Sequence, residues 1–281
     1  MATALITGGT SGIGAAFAEA LASRGVHLVL VARDAARLAL AAQRLTAAHG
    51  IEVETISADL ADRADVLRVA DRLEDEDRPV DLLVNNAGAG VRTPLVSRDL
   101  ASHDLGLDVM CRAVLVLGGA AGRSMAARGS GAIINVSSLQ SLFTTGSYAA
   151  MKAWVTSYSQ GLSVELQGTG VTVTAVLPGW VRTAWHSPDG DRRSSVPGWL
   201  WTEPEVVAAA ALRASARGRA VCVPTWRYAV IGWWARHLPR SVVRWVSARI
   251  SSSRRDSQQS RRDSQQSRRA AAPHDGRSQG S

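Results

Sequence analysis

The chain has 281 residues, 46% of them apolar, and carries a formal charge of +8 at pH 7. The apolar content excludes a wholly disordered chain, and two cysteines give neither a disulfide framework nor a metal site. No run reaches the ~18 apolar residues of a membrane span. The charge is weak evidence for nucleic-acid binding, because half of the excess lies in residues 251–281, with seven Arg and three Asp.

Short apolar runs alternate with amphipathic stretches over most of the chain. We predict strands at 2–7, 27–32, 51–57, 82–85, 132–137, 171–177 and 220–223, with helices such as 14–24, 34–49, 64–75 and 148–167 between them. Strands that are apolar on both faces are typical of a parallel sheet covered by helices on each side. This order predicts an α/β fold with a doubly wound parallel sheet of about seven strands.

The first predicted strand ends in a glycine-rich turn that leads directly into a helix. Residues 7–14 read Thr-Gly-Gly-Thr-Ser-Gly-Ile-Gly. Glycines let the backbone turn sharply and approach a ligand, and the helix N-terminus offers N–H groups to a pyrophosphate. The turn therefore predicts a dinucleotide site, with a purely structural turn as the alternative. Its candidate cofactor contacts are Gly8, Thr10, Ser11, Gly12, Ile13 and Gly14.

Further short motifs follow the later strands in order. They are Asp59-Leu60, Asn85-Asn86-Ala87-Gly88, Asn135-Val136-Ser137-Ser138, Tyr148-x-x-x-Lys152, and Pro178-Gly179 with Thr183. Together with Thr-Gly-x-x-x-Gly-x-Gly they resemble the short-chain dehydrogenase/reductase family over residues 2–224. The resemblance implies a Rossmann-like catalytic domain that transfers hydride between a nicotinamide and a carbonyl or alcohol. No metal site is expected.

The resemblance also implies further cofactor contacts, and the second strand indicates which nicotinamide is used. The implied contacts are Asp59, Leu60, Asn86, Ala87, Gly88, Tyr148, Lys152, Pro178, Gly179 and Thr183. Arg33 stands where NADP-preferring members carry a basic residue, and Ala32 replaces the acid expected of NAD-type members. Because a guanidinium pairs well with phosphate, we expect NADP(H) rather than NAD(H), with an ordinary surface arginine as the alternative. Asp34 is predicted to cap the next helix.

Ser138, Tyr148 and Lys152 match the catalytic residues of the family. Lys152 is the only lysine among 32 basic residues, which indicates a position that arginine cannot fill. Tyr148 lies four residues earlier on one helix face, where an ammonium is expected to lower the pKa of the phenol. In the family the serine binds the substrate oxygen, the tyrosine transfers the proton, and the lysine holds the nicotinamide ribose.

One position departs from the family pattern. The chain reads Leu107-Asp108-Val109-Met110, where the family usually has Asn in the last place. That asparagine helps to hold a water in a proton relay, and methionine has only a weak acceptor sulfur. The relay is therefore in doubt, and the alternative function is an NADP(H)-binding regulatory or scaffold protein with weak or no turnover.

Eight of the nine tryptophans follow residue 179. A substrate lid is predicted at 182–201, where Trp185, Trp199 and Trp201 suit an apolar, lipid-like or aromatic substrate. Packing of the lid on the body or on another subunit is the alternative. His186 is expected to be a polar lid residue. The family also implies a homodimer or homotetramer.

The last part of the chain is predicted to form a basic helical extension and a tail. Residues 225–250 follow the catalytic domain, 1–224, and combine arginines with tryptophans; residues 251–281 contain a tandem Arg-Arg-Asp-Ser-Gln-Gln-Ser repeat and are predicted to be disordered. Peripheral contact with an anionic membrane through 226–269 is one hypothesis. A dimerisation or lid-covering element is the other. Without a cleavable leader, we expect a cytoplasmic location.

Overall fold

The computed structural model describes residues 2–91, 93–183, 197–239 and 241–249. The chain separates into two compact units, Met1–His237 and Leu238–Ser281. The predicted domain boundary, between residues 224 and 225, lies 13 residues before the observed boundary after His237. The helix Trp226–His237 therefore belongs to the first unit. In the second unit residues 241–249 are helical. The predicted disordered tail, Trp185 and His186 lie outside the described residues.

Seven parallel strands form one sheet in the order β3-β2-β1-β4-β5-β6-β7. They are β1 (Thr3–Thr7), β2 (His27–Ala32), β3 (Val53–Ser57), β4 (Leu82–Asn85), β5 (Gly131–Val136), β6 (Val171–Val176) and β7 (Val221–Cys222). The predicted doubly wound α/β fold is confirmed. Because the order reverses between β1 and β4, a crevice opens there at the carboxyl ends of the strands.

Helices connect the strands and cover both faces of the sheet. They are α1 (Gly12–Ala22), α2 (Ala35–His49), α3 (Arg63–Leu73), α4 (Ala101–Leu107), α5 (Ala113–Arg128), α6 (Ser147–Glu165), α7 (Pro204–Ser215) and α8 (Trp226–His237). Leu5 and Ile6 are fully buried in two different apolar cores, one on each face, because successive strand residues point to opposite sides. The prediction that Asp34 caps α2 is confirmed, since its side chain accepts the N–H of Arg37 at 3.0 Å.

Helices α4 and α5 are joined without a break by a π turn at Asp108–Arg112. There the N–H of Ala113 donates to the carbonyl of Asp108, five residues earlier. Among the described residues, Ala101–Arg128 is the one stretch long and apolar enough to cross a membrane, with mean hydropathy 1.6. Half of its most apolar window is buried inside the fold, as expected of a helix that packs on a sheet.

Candidate active site

The glycine turn between β1 and α1 leaves no room for a side chain at Gly14. A Cβ at Gly14 would lie 2.1 Å from the carbonyl oxygen of Gly8, which real atoms cannot tolerate. Gly8 and Gly12 have φ of 66° and 53°, in the left-handed region that favours glycine. Ser11 makes no side-chain capping bond to α1, so the first N–H groups of that helix are available to an anion.

Asn86 ties the end of β4 to this turn. Its side-chain amide donates to the carbonyls of Thr7 at 3.0 Å and Gly8 at 3.2 Å. In return, the hydroxyl of Thr7 accepts the N–H groups of Asn86 and Ala87 at 2.9 and 3.0 Å. The side chain of Asn86, predicted as a cofactor contact, is therefore engaged in holding the shape of the turn.

The segment after β6 closes over the same turn. A Cβ at Gly12 would lie 2.9 Å from the methyl carbon of Thr183, so these two predicted cofactor positions are in contact. Thr10 is half-buried, Ser11 is exposed, and Ile13 packs partly against the core. The polar side chains of Thr10 and Ser11 thus lie toward the surface, and the side chain of Ile13 packs the turn on the core.

Two other predicted contacts lie at the ends of β2 and β3. Arg33 is exposed, and its carbonyl accepts the hydroxyl of Ser57 at 3.1 Å, which fixes its backbone at this edge. Asp59 is half-buried and accepts the N–H of Ala61 at 3.0 Å, while Leu60 is buried. A guanidinium at the edge of the crevice is free to reach a phosphate there.

Ser138, Tyr148 and Lys152 meet at the end of β5. Ser138 is buried and caps the short helical turn Leu139–Leu142, and it is hydrogen-bonded to Tyr148. Lys152 is 5% exposed, and its ammonium donates to the carbonyl of Val136 at 2.8 Å. The ammonium lies 5.9 Å from the centre of the Tyr148 ring. The two hydroxyls and the ammonium thus share one pocket.

Burial is the main cause of the shifted pKa values of Tyr148 and Lys152. It raises the pKa of Tyr148 to about 12, against the opposing effect of the Ser138 hydrogen bond. It lowers the pKa of Lys152 to about 8. The predicted lowering of the Tyr148 pKa is therefore wrong for the protein by itself, because desolvation outweighs an ammonium that is bonded to Val136 instead. At neutral pH the phenol of Tyr148 is therefore protonated.

A chain of buried polar side chains fixes the catalytic helix to the sheet. The amide of Asn85 donates to Asn135 at 2.9 Å, and the amide of Asn135 donates to Ser159 on α6 at 2.9 Å. Ser137 donates to the carbonyl of Lys152 at 2.7 Å. The sequence analysis missed Asn135, Ser137 and Ser159 as positioning residues. The available signal was the presence of polar residues within or next to an apolar strand, and of Ser159 on the buried face of α6.

His103 is a second positioning residue that the sequence analysis missed. Its Nε2 lies 3.2 Å from the carbonyl oxygen of Pro94, and its Nδ1 lies 2.8 Å from the hydroxyl of Ser147. Because the carbonyl can only accept, Nε2 carries a proton and donates to Pro94. This residue holds the start of α6, one position before Tyr148.

Met110 is fully buried in the π turn and lies beside the Asn-Asn-Ala-Gly segment. A Cβ at Gly88 would lie 3.8 Å from its sulfur. The next residue, Cys111, is half-buried, and burial raises the pKa of its thiol, while the ammonium of Lys152 opposes this. Neither Met110 nor Cys111 can replace the side-chain amide of the asparagine that the family usually has at position 110.

Tyr228 from α8 packs against the end of β6. Its ring fills the space where a Cβ of Gly179 would stand, at 2.1 Å. Its hydroxyl accepts the N–H of Trp180 at 3.0 Å and donates to the carbonyl of Leu200. Pro178 accepts the N–H of Leu139 at 2.9 Å. Pro178 and Gly179 thus join β6, the segment after Ser138 and α8.

The described part of the predicted lid packs against the body. Trp180 and Trp201 have ring centres 5.9 Å apart, and Thr202 bridges to Val181. Trp199 is 60% exposed. Of the two lid tryptophans that the structure describes, Trp201 is packed and Trp199 is exposed.

Comparison with known proteins gives a consistent family. Residues 2–193 match the sequence model described as short chain dehydrogenase. Over 260 residues the chain is 32% identical to a very-long-chain 3-oxoacyl-CoA reductase of Anas platyrhynchos, which covers 86% of this chain and 77% of that one.

Two solved structures are similar over nearly the whole chain. The short-chain dehydrogenase from Sphingobium yanoikuyae in complex with NADPH has a TM-score of 0.74 and 31% identity, covering 99% of both chains. The bulky-bulky ketone specific alcohol dehydrogenase from Comamonas testosteroni has a TM-score of 0.72 and 29% identity, covering 99% of this chain and 97% of that one. The protein thus belongs to the short-chain dehydrogenase/reductase family and is an NAD(P)-dependent oxidoreductase.

Proposed function

We propose that the protein is an NADP(H)-dependent carbonyl reductase or alcohol dehydrogenase for an apolar substrate. Ser138, Tyr148 and Lys152 are its catalytic residues. The observation that carries the proposal is the hydrogen-bonded pair of Ser138 and Tyr148 beside the one ammonium of the chain. It stands at the same edge of the sheet as a glycine turn that has no room for a side chain at Gly14.

The cofactor is held by the glycine turn and the ends of the neighbouring strands. The proposed contacts are Gly8, Thr10, Ser11, Gly12, Ile13, Gly14, Arg33, Asp59, Leu60, Asn86, Ala87, Gly88, Tyr148, Lys152, Pro178, Gly179 and Thr183. Gly14 supports this fit, because its missing Cβ lets the start of α1 close on Gly8 and Asn86. This close packing shapes the turn at the helix N-terminus, where N–H groups would meet a pyrophosphate. When bound, the nicotinamide supplies or accepts the hydride.

The side chains of the pocket handle the proton. In the direction of reduction, Ser138 donates a hydrogen bond to the substrate oxygen, and Tyr148 transfers its phenolic proton to that oxygen. The raised pKa of Tyr148, about 12, keeps this proton in place at neutral pH. The phenolate that remains recovers a proton from solvent. Lys152 stabilises the phenolate by its charge.

The reaction is tested by screening apolar ketones for NADPH oxidation. We expect Tyr148→Phe to lower kcat by about 10²- to 10⁴-fold, with NADPH affinity unchanged. Tyr158→Phe is the matched control, because this tyrosine lies on the same helix and bonds to the carbonyl of Leu115 at 3.3 Å, outside the pocket. Absence of oxidation by the wild type, with no difference for Tyr148→Phe, would refute the reaction.

NADP(H) preference rests on Arg33 in the proposal. The exposed guanidinium stands at the end of β2, and the NADPH complex of the similar Sphingobium yanoikuyae protein supports the same cofactor. We expect Arg33→Gln to weaken NADPH binding by about tenfold or more, from the loss of a charge-assisted hydrogen bond. NADH affinity and the matched exposed variant Arg24→Gln should be unaffected. Equal losses for both cofactors would contradict the assignment.

An apolar substrate is proposed from the walls of the pocket. Tyr228 packs on Gly179, and Trp180 lies beside Trp201, after the residue Pro178 that bonds to Leu139. Aromatic walls favour apolar ligands. The similarity to a ketone-specific alcohol dehydrogenase and to a 3-oxoacyl-CoA reductase supports a carbonyl compound.

A second candidate function follows from Met110. A buried methionine where the family carries an amide favours an NADP(H)-binding regulatory or scaffold protein. It predicts NADPH binding without turnover, and activity gained by Met110→Asn would support it.

We also propose a cytoplasmic homodimer or homotetramer. Exposed Leu115 on α5 and Val164 on α6 offer apolar contact surface. Light scattering at several protein concentrations measures the assembly.

A further inference from the structure

Helix α8 lies directly on the segment that follows Ser138. A Cβ at Gly232 would lie 3.4 Å from Leu139 and Leu142, and Tyr228 is buried against Gly179. These contacts define an inner face of α8, which packs beside the proposed substrate site.

The opposite face of α8 is apolar as well, but exposed. Trp226, Val230, Trp233 and Trp234 are exposed by 74, 49, 54 and 54%. Their spacing places them on one side of a helix, away from Tyr228. We call these four residues the tryptophan stripe. A stripe of this kind marks a binding surface rather than ordinary surface composition.

Positive charge borders the tryptophan stripe on both sides. At 100° per residue, Arg227 follows on one flank and Arg236 on the other, and both are exposed. The sequence from 206 to 255 contains ten Arg and no Asp or Glu. This surface therefore complements an anionic partner, and no acidic residue of that stretch neutralises it.

We propose that the tryptophan stripe of α8 docks on an anionic lipid bilayer. Tryptophan favours the headgroup level of a membrane, and flanking arginines attract anionic lipid. Val230, in the middle of the stripe, fits acyl chains and offers nothing to a nucleic acid. The helix 241–249, considered alone, repeats this chemistry: Trp245 is 58% exposed, and the guanidinium of Arg249 lies 4.5 Å above its ring.

Docking through the outer face would bring the inner face of α8, and the substrate site beside it, close to the bilayer. A substrate dissolved in the membrane would then enter without crossing water. This last step rests on the proposed function, whereas lipid binding does not.

The test is flotation of the full chain with phosphatidylcholine vesicles, with or without about one third phosphatidylglycerol. We expect binding to the anionic vesicles alone. Trp233→Ser/Trp234→Ser should weaken it by about tenfold or more. Arg227→Gln/Arg236→Gln should weaken it by about 30-fold.

Matched variants separate this surface from general effects. Leu40→Ser replaces an apolar residue of α2 that is 66% exposed, and Arg24→Gln/Arg63→Gln removes two exposed charges elsewhere; both should float like the wild type. Unchanged NADPH binding and Tm show that each variant is folded. NADPH binding also tests the proposed function separately from lipid binding.

Three results would overturn the proposal. The first is equal flotation of the stripe variants and the wild type. The second is binding that persists in those variants but disappears on deletion of 251–281, which would assign it to the tail. The third is an oligomer that dissociates in Trp233→Ser/Trp234→Ser without any vesicle binding by the wild type.

Discussion

Lys152 carries the one ammonium of the chain at a position where charge is unfavourable. It is 5% exposed and has the carbonyl of Val136 as a hydrogen-bond acceptor. Burial lowers its pKa to about 8 from an ordinary 10.5. The amine is therefore close to its titration point at physiological pH, which arginine could not be.

This shift predicts how stability depends on pH. Between about pH 8 and 10.5 the unfolded chain binds the Lys152 proton and the folded protein does not, so the free energy of unfolding rises with pH. The expected gain is at most about 3 kcal/mol. Denaturant titrations of wild type and Lys152→Met should diverge over this range, because the variant lacks the titrating group. Parallel stability curves for the two proteins would contradict the shifted pKa.

At the scale of single residues, the sequence indicated those features that depend on neighbouring residues in the chain. The isolated lysine, the glycines of the turn and the Asp34 cap were readable from neighbours in the sequence. The amide of Asn86 on the carbonyl of Gly8 was not, because 78 residues separate the partners. The raised pKa of Tyr148 depends on burial, which no motif encodes.

At the scale of elements, the contact between α8 and the end of β6 centres on Tyr228. The ring of Tyr228 occupies the space beside Gly179 that a Cβ would need. Its hydroxyl bonds to the backbone on both sides of this contact, at Trp180 and Leu200. The helix is thus fixed to the end of β6 through a single side chain.

Gly179→Ala should therefore destabilise the protein by about 1–3 kcal/mol, through overpacking against Tyr228. In a Tyr228→Ala background the same change should cost much less, because the ring is gone. Chemical denaturation of the four proteins of this cycle measures the coupling. Equal costs in both backgrounds would show that the ring is not the obstacle.

All seven strands were predicted from apolar runs, because buried parallel strands have a clear composition. The π turn at Asp108–Arg112 was missed, since residues 113–122 are apolar on every side and a shift by one residue leaves no mark in such a pattern. The inclusion of α8 in the first unit was missed for another reason. In the sequence α8 is apolar on two sides, which gave no indication of the surface it packs on. Its place in the first unit depends on the contact of Tyr228 with Gly179.

At the scale of the whole molecule, the strand order collects the predicted site at one edge. Reversal between β1 and β4 brings the glycine turn, the Asn-Asn-Ala-Gly segment and the start of α6 together. Family and fold were predictable because each motif stands at the end of its strand. The packing of the lid could not be predicted from the sequence. The boundary between the two units could not be predicted either, because it depends on tertiary contacts.

Cofactor binding should stabilise the whole domain. At a hundredfold excess over Kd, NADPH adds about 2.7 kcal/mol, which corresponds to a rise in Tm of about 5–10 °C. Gly14→Ala should abolish this shift, because its Cβ would meet the carbonyl of Gly8 at 2.1 Å. Gly161→Ala, with open space around it, should retain the full shift. Differential scanning calorimetry distinguishes these outcomes, and a normal shift in Gly14→Ala would refute the cradle.

The bond between Asn86 and Gly8 has a consequence for biosynthesis. The glycine turn is made first, but the amide that holds its shape is encoded 78 residues later. At about 5–20 residues per second of translation, the nascent turn waits roughly 4–16 s for its partner. Through that interval β1 also lacks its neighbour β4. The N-terminal strands of the growing chain therefore expose an unpaired edge, and dinucleotide can be recognised only after the fourth strand has left the ribosome.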